Sequence, residues 1–146
     1  SNRTVDLKQR LQDRLTEIVR DRDPFLSTAG HFFVRQYIHA ELSRWGKVDI
    51  HEFQVRGQSF ENLILNLPCW QKSGKKELPP ILIGAHYDTV PGTPGADDNA
   101  TGVSVLLELA KTFATQPAKY PIQLAAFDLE EYGFTGKDGI AVGSGA

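Results

Sequence analysis

Three short polar segments carry the residues with the most chemical potential in this chain: His86-Tyr87-Asp88, Asp97-Asp98, and Asp128-Leu129-Glu130-Glu131. An imidazole nitrogen and several carboxylate oxygens make a donor set suited to Zn²⁺, or to Mn²⁺ and Co²⁺ in the same geometry. The single cysteine, Cys69, excludes an intrachain disulfide and argues against a thiolate zinc finger. A metal held this way would serve catalysis rather than structure.

Each segment has a plainer reading when taken alone. Asp98 could be an ordinary helix N-cap, and Glu130-Glu131 a solvated acidic turn. Together they make a stronger pattern, because each lies at the end of an apolar strand or the start of a helix. Asp88 follows His86 by two residues, so in extended backbone both side chains project to one face and the carboxylate can orient the imidazole from behind. Asp98 at a helix start is favoured as an anion, and its two oxygens could bridge two cations. Neighbouring glutamates on extended backbone point in different directions, leaving one to bind metal and the other to face an attacking water. Spacing does not say which is which.

The elements that must hold these residues follow from hydrophobic periodicity. Leu7, Leu11, Leu15 and Ile18 predict an amphipathic helix from Val5 to Arg20, ended by Asp23-Pro24. Val34, Ile38, Leu42 and Trp45 predict a second, opened by Ser27 or Thr28 and stopped by Gly46. His31 and His39 fall in or beside it and read as surface or core-edge residues rather than ligands. Val48–Val55 and Phe60–Leu67 predict a hairpin about Gly57-Gln58, with His51 facing solvent. The polar stretch Trp70–Pro80 reads as a loop.

Ile81-Leu82-Ile83-Gly84-Ala85 is a continuous apolar run, the pattern of a strand buried on both faces, and it delivers His86 at its carboxyl end. A helix marked by Val103, Leu106, Leu107 and Ala110 follows, then a second buried strand, Ile122–Phe127, ending at the glutamates. Strand, helix and strand in this order predict a right-handed parallel crossover, with a site outside the carboxyl ends of the strands.

With those residues in place, the chain resembles the M28 family of zinc aminopeptidases. The resemblance lies in Gly84-Ala85-His86-Tyr87-Asp88, in Pro94-Gly95-Ala96-Asp97-Asp98-Asn99-Ala100-Thr101-Gly102, and in Phe127-Asp128-Leu129-Glu130-Glu131-Tyr132-Gly133. It implies an α/β fold, a three-layer α/β/α sandwich of the zinc-exopeptidase type with a mixed sheet and a parallel core. It implies two Zn²⁺ ions, with His86 on one, Asp98 bridging both and Glu131 on the other. Glu130 would be the general base and Asp88 the residue that orients His86, in an enzyme that removes N-terminal residues from peptide substrates. It also implies a cis peptide bond at Asp98-Asn99.

The resemblance runs from about Leu7 to Phe134, the amino-terminal half of a family domain, so residues 1–146 read as one apparently truncated domain. Glycines 133, 136, 139, 143 and 145 make 135–146 an atypical Gly-rich tail, and Asp138 lies too close to Glu131 to supply a further ligand. In the family each ion takes a third protein ligand from segments this sequence does not contain. Two alternatives follow: a non-catalytic, self-associating fragment that pairs through an exposed sheet edge, and a glutaminyl cyclase-like enzyme.

Composition bounds the partners. A length of 146 residues suits one domain, and a net charge of -2 offers no attraction for nucleic acid. No apolar run reaches the roughly 18 residues of a membrane span. Ser1-Asn2 without methionine reads as a processed end, which leaves the cytoplasm and export after signal-peptide removal both open.

Overall fold

The structure, a computed structural model, describes residues 2–72, 74 and 78–132, with side chains from Asp6 onward. Two helices, α1 (Asn2–Ile18) and α2 (Thr28–Ser43), precede a hairpin of β1 (Val48–Val55) and β2 (Gln58–Leu67). Then come β3 (Ile81–His86), α3 (Thr101–Thr115) and β4 (Ile122–Phe127). The sheet order is β1-β2-β4-β3; β4 is antiparallel to β2 and parallel to β3. The expected parallel crossover is therefore present. Residues 135–146 and Asp138 lie outside the described residues, as do Ser73, Lys75 and Lys76 of the 70–80 loop.

Alternation along β2 and β4 sends Leu63, Leu65, Leu67, Ile122, Leu124 and Ala126 to one sheet face. There they meet Ile18 from α1, Val34, Ile38 and Leu42 from α2, and Val103, Leu106, Leu107 and Ala110 from α3 in a single core. The result is the expected α/β fold with a mixed sheet, and the described helices pack on one of its faces. On the opposite face, no described element covers β3.

That arrangement corrects one expectation. The apolar run at Ile81–Ala85 is not buried on both faces: among the described residues β3 lies at the edge of the sheet, and Leu82 is 57% exposed. Continuous apolarity reports what a strand could bury, whereas its place in the sheet decides what it does bury.

An ion-pair cluster fastens α1 to the other helices. Arg14 Nε donates to Glu108 at 2.9 Å and its Nη1 to Glu41 at 2.7 Å, while Arg10 Nε reaches Glu108 at 3.0 Å. Burial alone would raise the Glu108 carboxyl, but hydrogen bonds from Arg14 and Arg10 hold it below its ordinary value. A depressed carboxyl contributes stability above the unfolded pKa, and that contribution is lost as pH falls through the folded value. Glu108→Gln is therefore expected to cost about 2 kcal/mol at pH 7 and to flatten the acid limb of the stability profile. Urea titrations at pH 7 and below the carboxylate range check both effects.

Candidate metal centre

The site lies at the carboxyl ends of the two parallel strands. His86 is the last residue of β3, and it is paired in register with Phe127, the last residue of β4. Each strand then delivers its polar segment to the same side of the sheet, as open α/β folds do.

The imidazole is the hub. Its Nε2 lies 2.9 Å from Asp98 Oδ1 and 3.7 Å from both Glu130 Oε2 and Glu131 Oε1. Its Nδ1 faces the backbone carbonyl of Asp88 at 3.2 Å and the Asp88 carboxylate at 3.4 Å. All five residues singled out in the sequence thus come together. The three whose donor atoms lie within 4.8 Å of one another are His86, Glu130 and Glu131, whereas Asp98 stands at the rim with its side chain 72% exposed. Both glutamates are equally far from His86, so distance alone gives neither the role of base or ligand.

Asp88 has contacts beyond the imidazole. It is fully buried, and its two oxygens accept the backbone N–H groups of Glu130 at 3.0 Å and Glu131 at 3.1 Å. One carboxylate therefore fixes the backbone that carries both glutamates. That backbone is not extended as expected: Glu130–Tyr132 forms a 3₁₀ turn entered through Leu129 at φ +62°. In a 3₁₀ turn successive side chains diverge by about 120° rather than 180°, which lets both carboxylates approach one histidine.

Asp98 is not a helix cap. It sits in a wide turn, Ala96–Ala100, with φ -126° and ψ 82°, and α3 begins only at Thr101. The capping role falls to Asn99, whose Oδ1 accepts the Gly102 N–H at 3.1 Å. The peptide bond between Asp98 and Asn99 is cis, as the motif implied.

Electrostatics match the geometry. Burial opposes a charge on His86, but Asp88, Asp98 and Glu130 outweigh it and raise the imidazole to about 9. Burial and the hydrogen bond shared with Asp98 raise Glu131 to about 7, while that hydrogen bond and His86 lower Asp98. Four carboxylates about one imidazole hold an excess of negative charge that a divalent cation would neutralise. The donor set, one imidazole nitrogen and carboxylate oxygens with no thiolate, fits zinc.

The comparisons bear on what this site belongs to. The sequence model of peptidase family M28 matches residues 62–143, which include all three motifs. The chain belongs to peptidase family M28. Among relatives of this M28 chain, the uncharacterized protein YfbL of Escherichia coli is 35% identical over 105 residues, covering 66% of the chain and 31% of YfbL. Aminopeptidase YwaD of Bacillus subtilis is 45% identical over 56 residues, 38% of the chain and 12% of YwaD. A glutaminyl cyclase of Bacteroides thetaiotaomicron matches with TM-score 0.68 at 23% identity, covering 88% of the chain and 47% of the cyclase. A Zn-dependent exopeptidase from Parabacteroides distasonis matches with TM-score 0.63 at 24% identity and the same coverages. These structures share the fold. The M28 chain spans less than half the length of each of these relatives and structures.

Sequence reasoning passed over two supports. His31, read as a surface or core-edge residue, is buried and bonded through Nε2 to Asp128 Oδ1 at 2.8 Å, with its ring stacked on Tyr87. Asp128 also accepts the Leu129 N–H at 2.8 Å, so this pair backs the corner that presents the glutamates. The two residues are 97 apart in sequence, a separation no local pattern reveals. The second is Arg22, in a run of charged residues, Arg20-Asp21-Arg22-Asp23, of which Arg22 and Asp23 lie fully in the interior.

Gly95 yields a direct expectation. It sits at φ +58°, and a Cβ there would lie 2.6 Å from the Asp98 carbonyl oxygen and 2.6 Å from Thr89 Cγ2. Backbone on one side and a buried threonine on the other leave no room to yield. Gly95→Ala is expected to lower the melting temperature by several degrees, consistent with a loss of about 1–3 kcal/mol, and calorimetry checks it.

Proposed function

We propose that this chain carries the zinc centre of a metal-dependent aminopeptidase that hydrolyses N-terminal residues from peptides. The observation that carries the reading is the convergence of Asp98, Glu130 and Glu131 on His86 Nε2, at parallel strand ends in an M28 chain. The name of YwaD and the zinc dependence stated for the exopeptidase neighbour support it.

In this reading His86 and Asp98 would hold one ion, Asp98 and Glu131 would hold the other, and longer members of the family would contribute further ligands. Zinc, when bound, supplies Lewis-acid polarisation of a carbonyl and acidifies water. Glu130 accepts a proton from the attacking water and passes it to the departing amine. Asp88 holds the Glu130 and Glu131 backbone against His86 throughout.

Zinc-dependent release of nitroaniline from aminoacyl-nitroanilides by the purified chain tests the activity. Absence of both hydrolysis and zinc uptake would overturn the reading for this chain. The cyclase neighbour favours a second reading, which cyclisation of N-terminal glutamine peptides would support. The edge position of β3, with Ile81 and Leu82 exposed, favours a third, in which the chain self-associates through that edge. A strictly monomeric chain in sedimentation would remove it. Among the described residues no helix is long and apolar enough to cross a membrane.

A further inference from the structure

We propose that Arg22 is a positioning residue of the metal centre, clamping the strand end that carries His86 and the turn that carries Asp98 at one fixed separation. The inference rests on the metal-centre reading above. Arg22 is fully buried, the largest fully buried side chain among the described residues. Such a cation ordinarily needs a carboxylate against it. Here its guanidinium donates to backbone carbonyls instead.

The acceptors come from three segments. Nη1 reaches Ile18, the last residue of α1, at 3.1 Å and Arg20, two residues beyond it, at 3.2 Å. Nε reaches the carbonyl of Tyr87, between His86 and Asp88, at 2.7 Å. Nη1 and Nη2 reach Pro94 at 2.6 Å and Gly95 at 2.9 Å, in the loop leading to Asp98. The Arg22 backbone adds an N–H to Thr89 Oγ1 at 3.1 Å and accepts the Thr89 N–H at 3.4 Å.

The Gly95 carbonyl is the informative acceptor. It also takes the Ala100 N–H at 3.0 Å, the bond that closes the turn around Asp98. Arg22 and the turn therefore share one oxygen. The carboxylates of Asp88, Asp98 and Glu131 are close enough for their charge to favour the guanidinium, which burial lowers to about 10 and so leaves charged at neutral pH. A planar guanidinium spreads five donors over three nitrogens and can span these segments; an ammonium carries its three donors on one atom and cannot reach all of them.

The test compares wild type with R22M and R22K. Amide hydrogen exchange at Ala100, read by NMR without metal, is expected to quicken at least about ten-fold in R22K while the β2–β4 ladder keeps wild-type protection. Zinc affinity by calorimetry is expected to fall about 10- to 100-fold. R22M removes every donor and sets the upper limit on both readouts. Unchanged Ala100 exchange in R22K, or unchanged zinc affinity beside a wild type that binds, overturns the role of Arg22. Loss of ladder protection in R22K also counts against it, since Arg22 would then serve the fold as a whole. A wild-type chain that takes up no zinc overturns instead the metal-centre reading, and with it any role of Arg22 toward a metal.

Discussion

Glu130→Gln is expected to lower turnover of an aminoacyl-nitroanilide by about 10²–10⁴-fold, the range lost with a general base, while zinc uptake and melting temperature stay near wild type. The substitution keeps the size of the side chain, and Glu130 is the more open of the two glutamates, with 41% of its side chain exposed against 17% for Glu131. It removes only the ability to take a proton. Glu131→Gln should do the converse, weakening zinc uptake first, because Glu131 is the glutamate hydrogen-bonded to Asp98. The pair of variants is decisive where the geometry is not, since both carboxylates stand 3.7 Å from His86. Single-turnover rates and calorimetric titrations on both variants give the answer; the reverse pattern would exchange the two roles.

Asp88→Asn should be the most damaging substitution for the fold of the site. The carboxylate accepts two backbone N–H groups and faces the imidazole from a fully buried position. An asparagine keeps one acceptor oxygen and turns an NH₂ group toward another donor. Leaving one buried N–H unsatisfied and losing a charge-assisted bond is expected to cost about 3 kcal/mol. Because both glutamates hang from that backbone, zinc affinity should fall about 10- to 100-fold as well. Urea denaturation and zinc titration of the same sample separate the two losses. An Asp88→Asn chain with wild-type stability would show that the two N–H groups are not held by this carboxylate.

The helices and strands were legible because their apolar spacing is regular: the Val48–Val55 and Ile122–Phe127 strands fall where alternation and apolar runs put them. The site residues were legible because three short motifs each place acids or histidine at an element's end. What escaped was set by long-range geometry. No local pattern distinguishes β3 as an edge strand from a strand buried on both faces, since Leu82 is as apolar in either setting. Nothing within six residues of Arg22 signals that it folds inward to meet carbonyls 65 to 73 residues away. The 3₁₀ turn at Glu130 depends on Asp88, 42 and 43 residues earlier, pulling two amides toward itself. In each case the missing information is which distant group completes a hydrogen bond.

In the proposed reading His86, Asp98, Glu130 and Glu131 form a cation site rather than a solvated acidic rim. Crystals of the chain equilibrated with zinc, with anomalous differences recorded on both sides of the zinc edge, test it most directly. In that reading one anomalous peak lies against His86 Nε2 and Asp98 and a second against Asp98 and Glu131, and the first is lost in His86→Ala. Ordered density for all four side chains with no anomalous peak among them would contradict it.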